Sequence, residues 1–321
     1  MKAWRSLRRR VLTPDVSETT CAKRGFHVTD EARRNRLETV GRSFLTGFGE
    51  AAEARRPADV AEPLDQMPPM WRGFAYEGAA MALAIRDAMP GRGGRVADFL
   101  AGPGGPHVYM AYVGVGWAMA RLPRLLHSRL HAPDPLLRWL VLDGYGFHQA
   151  YFHTTRYVAD RYREERFPFA DDPGGYAVRA IDQGVGRACW FVAGADVQQV
   201  SRLFAGFPEG RRPDLWAGTG LAAGYAGGAA EAELEQLAVE AGPYRGEVAQ
   251  GVAFAAAARV RAGLMMPHTE AAARVLCGRS AAEASAVTDE ARAGLKAEGG
   301  LPEFEIWRQR IKSAFVPARK G

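Results

Sequence analysis

The 321-residue sequence predicts an all-α protein built from tandem helical-hairpin repeats, about six copies with a period of 30–40 residues, forming an open array or an α/α ring. Three observations carry this. A pattern Gly-x-small-x-x-x-small recurs with its leading glycine at Gly78, Gly114, Gly144, Gly184, Gly220 and Gly251, spaced by 36, 30, 40, 36 and 31 residues, which is the period of stacked helical pairs. A proline-containing turn precedes each copy: Pro68-Pro69, Pro106, Pro133 with Pro135, Pro173, Pro213 and Pro243. Proline suits a turn or the first helical position and cannot continue a helix from before it. Alanine, the best helix former, is abundant.

The elements follow in order. Residues 1–30 are expected to be an irregular basic lead-in, 31–300 a single helical-repeat domain, and 301–321 a basic C-terminal tail. Each copy should lie mid-helix, where a glycine costs about 0.5–1 kcal/mol relative to alanine. Six such costs imply close helix–helix approach in return. Ala195–Phe204 and Glu231–Ala241 are second helices between copies. Weaker copies at Gly41-Arg42-Ser43 and Gly278-Arg279-Ser280 are expected to cap the array. The segment 88–107, with Pro90-Gly91-Arg92-Gly93-Gly94 and Gly102-Pro103-Gly104-Gly105-Pro106, is expected to be loop. Pro267-His268-Thr269-Glu270 starts another helix, with Thr269 as its cap.

The net charge of +6 is concentrated at the ends. Lys2, Arg5, Arg8, Arg9 and Arg10 open the chain and Arg308, Arg310, Lys312, Arg319 and Lys320 close it; without these ten the middle carries −4. A nucleic-acid binder keeps its basic stripe on the folded body, so no nucleic-acid partner is expected. Cys21, Cys189 and Cys277 are odd in number and far apart, which supports neither a zinc ribbon nor a disulfide framework and suits a reducing cytoplasm. No apolar run reaches the roughly 18 residues of a transmembrane helix, and Thr13-Pro14-Asp15 interrupts any secretory h-region.

Alignment of the copies exposes a mostly polar position just before each glycine: Glu77, Val113, Asp143, Gln183, Thr219 and Gln250. Four residues later the same face offers Met81, Trp117, Phe147, Arg187, Ala223 and Phe254. If the helices surround one space, carboxylates and amides beside aromatics would line a largely apolar pocket. His148 stands where the other copies carry alanine or glycine, and an imidazole near a carboxylate can act as acid or base. Gln183 and Arg187, at i,i+4 after Asp182, should hydrogen-bond across one turn. His127 and His131 share metal-ligand spacing but lack a third ligand. His107–Val113 followed by Gly114-Val115-Gly116 imitates a dinucleotide fingerprint, yet the same pattern recurs in five other places, which favours equivalent helices. No signature for flavin, haem, metal or nicotinamide is present, so no cofactor is expected.

Several longer stretches carry a family resemblance. They include Phe74-Ala75-Tyr76-Glu77-Gly78, Asp143-Gly144-Tyr145-Gly146-Phe147-His148, Asp182-Gln183-Gly184-Val185-Gly186-Arg187 and Trp216-Ala217-Gly218-Thr219-Gly220. Together they resemble the bacterial family of unknown function that includes the UnbL proteins of enediyne gene clusters, over nearly the whole length. The resemblance implies an accessory role in enediyne (polyketide) biosynthesis, and it brings no agreed catalytic residues. The resulting expectation is a protein that handles or modifies a long polyene or acyl intermediate by acid/base chemistry. Asp143, His148 and Glu77 would be the acid/base set. Tyr76, Tyr112, Trp117, Tyr145, Phe147, Asp182, Gln183, Arg187, Gln250 and Phe254 would contact substrate. The alternative is a non-catalytic helical scaffold that binds the polyketide synthase or another accessory protein.

Overall fold

The computed structural model describes residues 2–316 except 92, 170, 171 and 173. Pro173, Arg92, Arg319 and Lys320 of the expectations above lie outside the described residues. Sixteen α-helices are present among the described residues: α1 Lys2–Leu12, α2 Cys21–Arg24, α3 Glu31–Glu53, α4 Ala61–Asp65, α5 Pro69–Ala88, α6 Arg95–Ala101, α7 Val108–Arg121 and α8 Trp139–Phe152. The second half holds α9 Ala177–Val192, α10 Val197–Ala205, α11 Arg212–Tyr225, α12 Glu231–Ala241, α13 Arg245–Arg261, α14 Pro267–Ala272, α15 Ala281–Glu290 and α16 Glu303–Phe315. Among the described residues there is no strand, and no helix is long and apolar enough to cross a membrane. His107–Val113, strand-like in sequence, enters helix α7.

The six copies sit inside α5, α7, α8, α9, α11 and α13, and Gly41 and Gly47 sit inside α3. Each of these helices packs on the next in chain order. The glycines make this possible. A methyl group built on Gly114 would lie 2.1 Å from the Glu77 carbonyl oxygen, on Gly144 2.1 Å from that of Val113, and on Gly184 1.9 Å from that of Asp143. The glycine two residues on faces the other neighbour: Gly116 meets the Val141 carbonyl and Gly146 that of Ile181. One helix thus touches its predecessor and its successor backbone to backbone, so neither glycine tolerates a Cβ. The row rolls up. Arg259 of α13 donates to the Pro69 and Met70 carbonyls at 3.3 and 3.1 Å, and Phe74 of α5 meets Tyr225 of α11 edge-on at 5.1 Å.

The repeating unit is less regular than a helical hairpin. α10 and α12 match the expected second helices and pack on each other, but α7 and α8 are joined by a short 3-10 segment, Arg124–Arg129. Consecutive copy-bearing helices are themselves neighbours because their glycines remove the need for a spacer. Gly278 is not a cap repeat: its φ of 65° ends a helical turn in the left-handed region, which glycine adopts without a Cβ penalty. Thr269 lies within α14 and donates to the Gly224 carbonyl instead of capping. Part of the segment 88–107 is helical, as α6.

The described residues at both ends are folded. The lead-in contains α1, whose Arg8 donates to the Ala54 carbonyl at 3.1 Å and whose Arg9 pairs with Glu50 and Glu53 at 2.9 and 3.2 Å. Arg86 adds bonds to the Ala51 and Ala54 carbonyls. Arg8 and Arg86 thereby satisfy orphan carbonyls at the α3 C-terminus, where positive charge is favoured. The C-terminal tail likewise contains α16, with Phe304, Trp307 and Ile311 buried at helical spacing. Its Arg308 is buried against Tyr176, Asp214 and Glu305. The basicity of the two ends is therefore only partly solvated.

Candidate functional site

Close packing of α8 on α9 brings three polar side chains together. Gln183 Nε2 donates to Asp143 Oδ2 at 2.8 Å, and Arg187 Nη1 lies 2.7 Å from Asp143 Oδ1. Gln183 and Arg187 both reach Asp143, not each other as i,i+4 spacing suggested. Arg187 extends to α5, where its Nη2 is 3.8 Å from Glu77 Oε1, and its guanidinium lies 4.8 Å over the Phe147 ring. Glu77, Asp143, Gln183 and Arg187 are all buried.

Two carboxylates facing one guanidinium cannot both stay charged cheaply in a low-dielectric interior. Asp143 holds the shorter contact and the Gln183 hydrogen bond; burial still pushes its carboxyl upward, against the pull of Arg187 and Gln183. Glu77 has only the longer contact. Burial pushes it from the usual 4.5 up to about 7; Arg187 opposes this and Asp143 reinforces it. The Trp117 indole N–H is directed towards Glu77 without a hydrogen bond of good geometry. Of the two carboxyls, Glu77 is therefore the less well paired and the one whose neutral form burial favours, while Asp143 holds the shorter contact to Arg187.

Glu77 and Arg187 face a cavity of about 490 Å³ enclosed by α3, α5, α7, α8, α9, α11 and the lead-in after α1. Its walls are largely aromatic and apolar: Phe44, Met81, Trp117, Phe147, Tyr151 and Phe191. Trp117 contacts Phe44 and Phe147 at centroid distances of 4.5 and 5.2 Å. His148 is on the same wall, against Phe152 at 4.7 Å and edge-on to Trp117 at 5.5 Å. Burial lowers its pKa to about 3, with Arg121 and His153 adding repulsion, so the imidazole is neutral at pH 7. The cavity reaches the surface beside the exposed residues Asp15, Arg121 and His153.

The remaining sequence candidates fall elsewhere. The Tyr76 hydroxyl donates to Asp65 at 2.8 Å and its ring stacks on His107 at 3.8 Å. The Tyr112 hydroxyl accepts from the Asp134 amide at 2.9 Å. The Tyr145 hydroxyl donates to Glu164 at 3.0 Å, with its ring against Phe167. Asp182 pairs with Arg211 at 2.7 Å and Arg163 at 3.1 Å. Gln250 accepts from Arg308 at 3.1 Å in a separate polar cluster, and Phe254 packs on Trp307 at 4.7 Å. None of these six lines the 490 Å³ cavity. His127 binds the Met119 carbonyl at 3.0 Å. Among the described residues no three His, Cys, Asp or Glu side chains stand where they could hold a metal ion.

Sequence reasoning missed the α3 and lead-in walls, Val40, Phe44 and Thr19, and the Tyr225 wall on α11. The spacing of Leu37, Val40, Phe44 and Phe48 marks an inward face on α3, but nothing local says that this face meets Trp117.

The family model for a protein of unknown function, DUF1702, matches residues 3–315, nearly the whole chain. The chain belongs to the DUF1702 family. No curated protein and no solved structure shows significant similarity to it. The DUF1702 match spans every wall of the cavity, from Pro14 to Ala226.

Proposed function

We propose that this DUF1702 protein encloses a long apolar molecule, a polyene or acyl intermediate of polyketide origin, and moves a proton on it with Glu77. The observation that carries the reading is a buried carboxyl, held near pKa 7, facing Arg187 inside an otherwise apolar cavity of about 490 Å³. Cavities of roughly 300–1,000 Å³ accept organic ligands of this class. A general base works best with its pKa close to the working pH. The resemblance to enediyne-cluster proteins supplies the ligand class and an accessory role in that pathway.

In this scheme the Glu77 carboxylate takes a proton from a carbon beside the conjugated system. The resulting carboxylic acid returns it to another carbon of the same chain, so a double bond shifts with no net gain or loss of atoms or electrons. Arg187, anchored by Asp143 and Gln183, stabilises the negative charge that develops between the two transfers. Asp143 acts as a positioning residue in place of the free base expected from sequence. His148 contributes a neutral wall.

A scaffold role would place the binding surface outside. The buried carboxyl and guanidinium inside the cavity favour the ligand reading. The test incubates wild type and Glu77→Gln with extracted polyene and follows the ultraviolet–visible spectrum and product mass. Wild type should bind and convert the chromophore; the variant should bind without conversion. Equal conversion by both, or no binding by wild type, overturns the proposal.

A further inference from the structure

Helix α1 is amphipathic, and it packs the wrong way round for a helix in water. Its arginine side faces the protein: Arg8 bonds the carbonyls at the end of α3 and Arg9 pairs with Glu50 and Glu53. Its apolar stripe faces out. Trp4, Leu7 and Val11, at helical spacing, are 67%, 49% and 71% exposed. Val16, four residues beyond the helix, is 56% exposed. A helix free to choose would bury that stripe, so this one presents it.

The surroundings point to what covers it. Arg5, Arg86 and Arg95 stand within electrostatic reach of Arg8, and Arg10 is exposed beside the stripe. Among the described residues the ion pairs of this group reach Glu50, Glu53 and Asp87, while Arg8 and Arg86 are bound to the neutral carbonyls at the end of α3, so positive charge is in excess here and Arg10 carries it to the exposed side. Tryptophan, leucine and valine flanked by surplus arginine is the composition of a helix that lies in the headgroup layer of an anionic bilayer. The location adds a second argument. The chain runs from α1 directly into Pro14, Asp15, Glu18 and Thr19, which wall the cavity at its opening.

We propose that the exposed face of α1, continued by Val16, docks the protein on an anionic membrane surface and sets the mouth of the cavity against the lipid. Docking is independent of the cavity's chemistry. Loading an apolar ligand from the bilayer rests on the function proposed above. A second copy of the chain would offer the same surplus of arginine and meet it with repulsion, which favours lipid.

The experiment floats the full chain with vesicles of phosphatidylglycerol and phosphatidylcholine, or of phosphatidylcholine alone. Wild type should co-float with the anionic vesicles, and added salt should weaken this. The triple variant Trp4→Ser, Leu7→Ser, Val11→Ser should keep its melting temperature, because the three side chains are exposed, and lose binding by roughly tenfold or more. Arg10→Glu should weaken binding by a few-fold. Equal binding by wild type and the triple variant overturns the proposal. So does absence of wild-type binding, or a wild-type dimer that the triple variant renders monomeric. Binding of parinaric acid without vesicles reports the cavity separately: its loss with vesicle binding intact removes the ligand reading and leaves docking standing.

Discussion

Replacing Gly144 by alanine sets two effects against each other. Alanine in a helix interior is favoured over glycine by about 0.5–1 kcal/mol. The new Cβ, however, would sit 2.1 Å from the Val113 carbonyl oxygen, 2.9 Å from its carbon and 3.0 Å from its Cα. All three are backbone atoms of α7, so no rotamer change relieves the contact. The α7–α8 pair must separate by more than about 1 Å to reach ordinary contact distance. Overpacking costs roughly 1–3 kcal/mol and occasionally more, and a rigid backbone puts this site at the upper end. The net expectation is a loss of about 2–3 kcal/mol, or roughly 3–5 °C in melting temperature for a chain of this length, read by circular dichroism and urea titration. Gly224 is the control: its built Cβ meets the Ala255 side chain at 3.0 Å and Val252 at 3.5 Å. A shift of a few tenths of an ångström clears that contact, so Gly224→Ala should stay within about 1 kcal/mol of wild type. If Gly144→Ala proves as stable as wild type, backbone-to-backbone packing is not what the recurring glycines provide.

Glu77 is raised from 4.5 to about 7 in the folded protein, so its contribution is complete below pH 4.5 and is lost as pH rises through 7, by roughly 3 kcal/mol. Glu77→Gln should flatten stability across that window and be the more stable protein at pH 8; parallel urea curves at pH 5 and 8 for both would contradict this. His148 is shifted the other way, to about 3, and His107 and His268 to about 4. Their contributions are present above pH 6.5 and lost on acidification, so His148→Gln should unfold at lower pH than wild type in an acid titration. Arg187→Met leaves Asp143 buried without its partner and should cost about 3–5 kcal/mol; adding Asp143→Leu should recover much of that in the same denaturation assay.

How much was legible from sequence depends on the range of the interaction. Glu231–Ala241 and Val197–Ala205 follow from local pattern, since helix start and stop chemistry acts within a few residues. The glycine periodicity reported close helix approach because a missing Cβ has one use at that spacing. The polar positions were harder. Glu77, Asp143 and Gln183 occupy equivalent places and do converge, whereas Gln250 occupies the same place and meets Arg308. Arg308 itself reads as a solvated terminal charge in sequence and is buried in the fold, because Phe304, Trp307 and Ile311 draw α16 into the core. Tyr76, Tyr112 and Tyr145 resemble pocket aromatics, yet the Tyr76 hydroxyl is bound to Asp65 at the end of α4 and those of Tyr112 and Tyr145 to residues of connecting segments.

By itself the sequence determined the helical class, the recurring glycine positions and kinship to a family of unknown function, all of which can be read along one chain. The tertiary structure alone decided that Arg187 is shared between Asp143 and Glu77, that Glu77 holds the longer of the two contacts, and that the arginine side of α1 turns inward. Those outcomes depend on distances between helices that are far apart in sequence, and on which of two competing charges burial leaves the better paired.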